Sequence, residues 1–297
     1  MKDSCVGVEN LFYATKGETV MRKICIFSFV ILCLTSCRTM KIKEGNNLVI
    51  PFTLENKAYP NCPVVTVKSF SNSYFITYYT FIVDTGWGES QFFNKEISNS
   101  YIMLNLLNDA IVGNSFVKPK TDKIDGIVGE DFLSQFCRVD FDYSKRVIEF
   151  DCPSFVTESE SSIEFFPLEE VGKVPIMNIV FKENIDKAII DTGCSAPFIL
   201  RNIEINRDYI TDYKRTIISQ SILMTIKNET LVEDVNFSFG NICVYKAQGV
   251  YYDDPCLVAL SSTARGGAAI YNIIGSPLLG FFNRFQIDYE NMKFRVY

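Results

Sequence analysis

The 297-residue sequence contains no histidine. That absence removes every mechanism built on imidazole: Ser-His-Asp and Cys-His nucleophiles, histidine general bases and histidine-ligated catalytic zinc. Any hydrolysis would have to move protons with carboxylates. A cationic surplus is missing too, since 29 Lys and Arg stand against 35 Asp and Glu, a net charge of −6. Neutralising phosphates needs the opposite balance, so nucleic acid is not expected as a partner. Hydrophobic residues at 47% and charged residues at 22% are those of an ordinary globular chain, which excludes disordered and collagen-like readings.

Met21-Arg22-Lys23 places positive charge before an apolar run of 11 residues, 24–34. The run is too short to span a bilayer and has the length of a signal-peptide core. It ends Leu34-Thr35-Ser36-Cys37, which resembles the lipobox of bacterial lipoproteins. The resemblance implies that residues 1–20 are an upstream extension and 21–37 a lipoprotein signal peptide. Cys37 would be the lipid anchor, followed by a tether over 38–47. The expected location is the bacterial cell envelope, periplasmic or surface-exposed.

Six cysteines follow the anchor, and none forms a Cys-x-x-Cys pair, so no structural zinc site or other metal is expected. Val139 and Phe141 alternate against Ile148 and Phe150 across a tight hairpin centred on Ser144-Lys145. That register sets Cys137 opposite Cys152, as a cross-strand disulfide or as two free core thiols.

The chain also repeats itself. Phe81-Ile82-Val83-Asp84-Thr85-Gly86 matches Ala188-Ile189-Ile190-Asp191-Thr192-Gly193, an apolar strand running into Asp-Thr-Gly. Downstream, Gly126-Ile127-Val128-Gly129 through Asp142-Tyr143 aligns without a gap with Asn272-Ile273-Ile274-Gly275 through Asp288-Tyr289. Alternating, β-branched and aromatic segments dominate, and only 131–136 and 277–282 read as short helices. In those helices Leu133, Phe136, Leu279 and Phe282 are expected to pack inward.

Two ordered Asp-Thr-Gly sites, each followed by an apolar-apolar-Gly segment and a short helix, resemble the pepsin/retropepsin superfamily of aspartic proteases. The resemblance implies an all-β acid-protease fold of two homologous β-rich lobes, 48–152 and 163–297, with a linker at 153–162 and the active site between the lobes. It implies that Asp84 and Asp191 are catalytic, that Thr85 and Thr192 exchange hydrogen bonds with backbone between lobes, and that Gly86 and Gly193 let amides approach the carboxylates. Gly129 and Gly275 would lie on inner strands behind each aspartate. The expected substrate is a peptide or protein, with no cofactor, and the expected state is a membrane-tethered monomer.

Duplication has a chemical reason. Peptide hydrolysis without a nucleophilic side chain or a metal needs a base for water and an acid for the carbonyl oxygen and leaving nitrogen. Two carboxylates about 3 Å apart supply both, because they cannot both ionise and so share a proton. Two departures stand out, since Trp87 and Cys194 occupy places where pepsin-like enzymes usually carry Ser or Thr. Losing a donor to the charged form implies a less acidic optimum than that of gastric pepsins. Trp87, the only tryptophan, either lines the cleft or packs beneath it; Cys194 is expected as a small buried residue.

The distance from Asp84 to Gly129 is about half that from Asp191 to Gly275, leaving little room for a first-lobe flap. Asn108-Asp109 and Gly113-Asn114 are the turn signals available for one. The second lobe carries an insertion over 216–266, with Lys227-Asn228-Glu229 as a hairpin tip and a loop at 261–267. A shortened lid leaves open a non-catalytic alternative, a pseudoprotease that holds peptides in the cleft. Lipidation is tested at the anchor: Cys37→Ser is expected to move the chain from the membrane to the soluble fraction and to abolish palmitate labelling. Unchanged labelling would refute it.

Overall fold

The computed structural model describes residues 48–71, 75–93, 100–118, 122–150, 162–168, 174–181, 183–200, 210–215, 219–220, 225–226, 229–251 and 271–297. All lie within the unit Ile42–Tyr297. The signal segment, Cys37, the tether, Cys152, linker residues 153–161 and the loop at 261–267 fall outside the described residues, so the Cys137–Cys152 pairing does too.

The first half begins with β1 (Leu48–Pro51), β2 (Val64–Ser71), β3 (Phe75–Val83) and β4 (Gln91–Phe92). It continues through a helix, α1 (Ser100–Val112), then β5 (Phe116–Val117), β6 (Gly126–Val128), a short helix α2 (Glu130–Leu133), β7 (Arg138–Asp142) and β8 (Val147–Phe150). In the second half, β9 (Ser162–Leu168), β10 (Val174–Phe181), β11 (Asn184–Asp191) and β12 (Phe198–Leu200) come first. After β13 (Ile210–Arg215), β14 (Ser219–Gln220) and β15 (Thr225–Ile226) comes the long hairpin of β16 (Glu229–Phe239) and β17 (Ile242–Tyr251). The chain closes with β18 (Asn272–Gly275), α3 (Ser276–Gly280), β19 (Arg284–Asp288) and β20 (Lys293–Val296). Ser162, assigned to the linker from sequence, opens β9.

The sequence repeat is repeated in strand pairing. Strand β3 runs parallel to β6 with Phe81 opposite Gly126 and Val83 opposite Val128, and β11 runs parallel to β18 with Ala188 opposite Asn272 and Ile190 opposite Ile274. Each Asp-Thr-Gly thus leaves the end of a strand beside the strand that leads to the downstream glycine, Gly275 as the last residue of β18 and Gly129 one residue past β6, where it caps α2. The β7–β8 hairpin keeps the register read from alternation, Val139 opposite Phe150 and Phe141 opposite Ile148, with residues 143–146 forming the turn. Strands β7 and β19 pair antiparallel and join the two halves, with Phe141 opposite Phe285. Those two rings stack at 4.8 Å and 16°, and both are fully buried.

The class is mostly β, and the turn expected at Asn108-Asp109 needs correction. Asn108-Asp109, read as turn-forming, lies inside this 13-residue helix. Met103, Leu107 and Ala110 are buried along one face, at the three- and four-residue spacing that a helix stacks. Burying the two larger side chains contributes roughly 1.5–3 kcal/mol each, more than the local turn preference of Asn and Asp can oppose. The helix stops where the sequence signals a turn. Asn114 has φ 46°, Ser115 N donates to Ala110 O at 2.8 Å and Asn114 N to Ile111 O at 3.2 Å, a left-handed cap of the Schellman kind. Among the described residues the segment between β4 and β5 therefore holds a helix and no hairpin.

Candidate active site

The two Asp-Thr-Gly loops interlock. Thr85 N donates to Thr192 Oγ1 and Thr192 N to Thr85 Oγ1, both at 3.1 Å. Each hydroxyl then donates onward at 2.7 Å to the strand of the other loop, Thr85 Oγ1 to Ile190 O and Thr192 Oγ1 to Val83 O. Both threonines are fully buried. A side-chain hydroxyl is the group that can donate and accept at once in this space, which is why threonine serves at both places.

The interlock sets each aspartate against the other loop's glycine. A Cβ on Gly86 would lie 2.5 Å from Asp191 Cγ, and one on Gly193 would overlap the Asp84 carboxyl. Only glycine permits this approach. Gly86 N donates to Asp84 Oδ1 at 2.8 Å. Asp84 is 7% exposed and Asp191 half-buried. The Asp84 carboxyl is held well above the usual carboxylate range, first by burial, then by the charge of Asp191 and a hydrogen bond with it; Gly86 N–H opposes and Glu130 adds a smaller push. Two carboxyls close enough to repel each other resist ionising together, and the titration of such groups belongs to the pair. Such a pair can give and take a proton at one place.

Behind each loop the chain folds back over the inner strand. Glu130 N donates to Trp87 O at 2.8 Å, and Ser276 N donates to Cys194 O at 3.0 Å, the same bond in each half. A Cβ on Gly129 would stand 2.6 Å from Trp87 O, and one on Gly275 would overlap Ala196 O. Trp87 and Cys194 are both half-buried. Cys194 Sγ lies 3.5 Å from Ala196 O, and burial and the neighbouring Asp191 raise its thiol pKa. The helices expected over 131–136 and 277–282 are shorter, ending at Leu133 and Gly280, so Phe136 and Phe282 follow them; Leu133, Phe136 and Leu279 are buried and Phe282 packs partly buried against the core.

Several contributors left no local signal. Ser90 Oγ accepts from Gly129 N at 2.9 Å and donates to Asp131 Oδ1 at 2.6 Å, bracing the first inner glycine. Cys62 Sγ lies 3.1 Å from Gly193 O. Tyr143 OH meets Ser276 Oγ at 2.7 Å and Tyr289 OH donates to Glu130 Oε1 at 2.7 Å, so each tyrosine of the repeated Asp-Tyr reaches the residue after the other half's inner glycine. That pair did have a signal in the repeat. Among the described residues no group of three or more carboxylate or thiol side chains is arranged to hold a metal ion.

No protein-family model matches the chain, and no curated protein matches it. Among solved structures, the aspartic proteinase from Irpex lacteus aligns over 84% of this chain and 97% of its own, at a TM-score of 0.47 and 10% sequence identity.

Burial gives Asp84 a pH signature. Its folded pKa lies above the unfolded value of about 3.9. The stability linked to its proton is therefore full below about pH 4 and is lost as pH rises through the raised folded value. Asp84→Asn is expected to melt above the parent at pH 7 and to lose that advantage at pH 3. Equal melting temperatures at pH 7 would contradict the buried, crowded carboxyl.

Proposed function

We propose that this chain is an aspartic endopeptidase of two β-rich lobes, working on peptide or protein substrates in the bacterial cell envelope and held there by lipid on Cys37. One observation carries the reading: Asp84 and Asp191 leave duplicated strand ends, interlocked through Thr85 and Thr192, each carboxyl set against the other loop's glycine. Asp84, the more buried, holds the shared proton and gives it to the oxygen of the scissile carbonyl. Asp191, ionised, takes a proton from the attacking water. The oxygen of that water bonds to the carbonyl carbon and a neutral gem-diol forms. As the carbon–nitrogen bond breaks, the proton on Asp191 passes to the leaving nitrogen and one diol proton returns to Asp84. The products are a carboxylic acid and an amine, and the dyad is restored.

Trp87 and Cys194 bring no side-chain hydroxyl to the carboxylates, so the charged form is stabilised less than a Ser or Thr there would allow, and the optimum lies above that of gastric pepsins. The helix α1 between β4 and β5 leaves the first half without a hairpin lid among the described residues. This is the observation that favours the second reading, a peptide-binding protein without turnover.

The full chain, purified in detergent, is assayed on casein between pH 4 and 7 with and without pepstatin. Hydrolysis is expected, with a bell-shaped profile, and Asp84→Asn or Asp191→Asn is expected to lower it by about 1,000-fold or more while the fold persists; the double variant should lose no more than either single one. A folded Asp191→Asn protein with parental turnover would sink the dyad mechanism. Peptide binding without cleavage by the parent would favour the second reading.

A further inference from the structure

Cys62 belongs to neither Asp-Thr-Gly motif, yet its fully buried side chain reaches the second of them at Gly193 O. It sits at the end of a loop between β1 and β2 that is built to hold one shape. Asn56 Oδ1 accepts from Ala58 N at 2.9 Å and Tyr59 N at 3.1 Å, and Asn56 Nδ2 donates to Asp122 O at 3.0 Å. Asn61, with φ 68°, donates its N–H to Leu54 O at 3.0 Å.

Two bonds tie this loop to the second half. Ser276 Oγ donates to Asn61 O at 2.5 Å. With that proton committed, Tyr143 O–H donates to Ser276 Oγ at 2.7 Å, giving an ordered chain from Tyr143 through Ser276 to the Asn61 carbonyl. One residue on, Cys62 Sγ lies 3.1 Å from Gly193 O, with Pro60 O a longer alternative acceptor at 3.8 Å. Gly193 is the residue whose Cα closes on the Asp84 carboxyl. The neighbouring thiol, Cys194, is directed to Ala196 O and not to Gly193 O.

We propose that Cys62 is a positioning residue of the dyad: its S–H, given to the Gly193 carbonyl, holds the second Asp-Thr-Gly loop so that Gly193 stays closed on Asp84. This rests on the aspartic-peptidase reading for its catalytic consequence and on geometry for the bond itself. A thiol suits the place because it donates without adding charge beside two carboxylates. The titratable groups around it are Asp84, Asp191, Tyr59, Tyr143 and Cys194. Burial and the two aspartates raise the Cys62 thiol pKa, so it remains a donor wherever the dyad shares a proton. The same protonation makes it a poor nucleophile.

Two measurements on the full chain test this. Steady-state kinetics on a peptide substrate should show kcat lowered about tenfold in Cys62→Ala, the size of one lost hydrogen bond. KM should stay within about twofold, because the thiol is set behind the loop, and Cys62→Ser, which keeps a donor, should recover most of the loss. If Cys62→Ala does not fold, Cys62→Val fills the same space without a donor and replaces it. An infrared difference spectrum, parent minus Cys62→Ser, isolates the Cys62 S–H stretch. A band displaced to low frequency is expected; a band at the free-thiol position would overturn the inference, as would parental kcat in a folded Cys62→Ala or Cys62→Val. A parent without turnover takes down the peptidase reading, and the S–H band then still decides whether Cys62 holds Gly193.

Discussion

Everything at this site depends on two threonines that give and take the same hydrogen bonds. Thr85 and Thr192 each accept from the other's N–H and donate to the other's strand. Because both are fully buried, removing one hydroxyl strands an amide and a carbonyl with no water to replace it, at about 1–3 kcal/mol for each group. Neither loop can be placed without the other. The contact of Asp84 with Gly193 and of Asp191 with Gly86 follows from that constraint.

Once the loops are locked, electrostatics dictates the rest. Two carboxyls brought together in a partly buried place resist ionising together, and with no histidine in the chain the proposed chemistry rests on a proton shared between them. The surrounding bonds resist the repulsion this creates. Tyr143 and Tyr289 each cross to the helix start of the opposite half, and Ser90 and Cys62 hold Gly129 and Gly193 from outside the motifs. Further out, Arg284 binds Asp140 at 2.7 Å and Arg138 lies 3.6 Å from Asp288, so the two equivalent arginines of the repeat each pair with an acid across the β7–β19 junction. These ion pairs add register to a junction whose stability comes from stacked phenylalanines.

What could be read from the sequence was what repeats or alternates. The duplicated Asp-Thr-Gly and the downstream glycines stand out because a carboxylate, a two-way hydroxyl and a missing Cβ each have a local identity. The β7–β8 register could be read because alternation fixes which face is buried. The helix α1 could not, since Asn108-Asp109 is a turn signal locally and its override comes from burial of Met103 and Leu107 against residues far along the chain. Cys62, Ser276 and Asn61 were hidden for the same reason. Their bonds span 131 and 215 positions, and nothing in the spacing of single residues marks such a contact.

The claim that Asp84 and Asp191 form one titrating unit is reached most directly by carbon-13 NMR of aspartate-labelled protein, following both carboxyl resonances with pH. The account expects a coupled pair, one midpoint displaced well above the ordinary carboxylate range near 4 and each resonance responding to both steps. Two independent midpoints near 4 would contradict it.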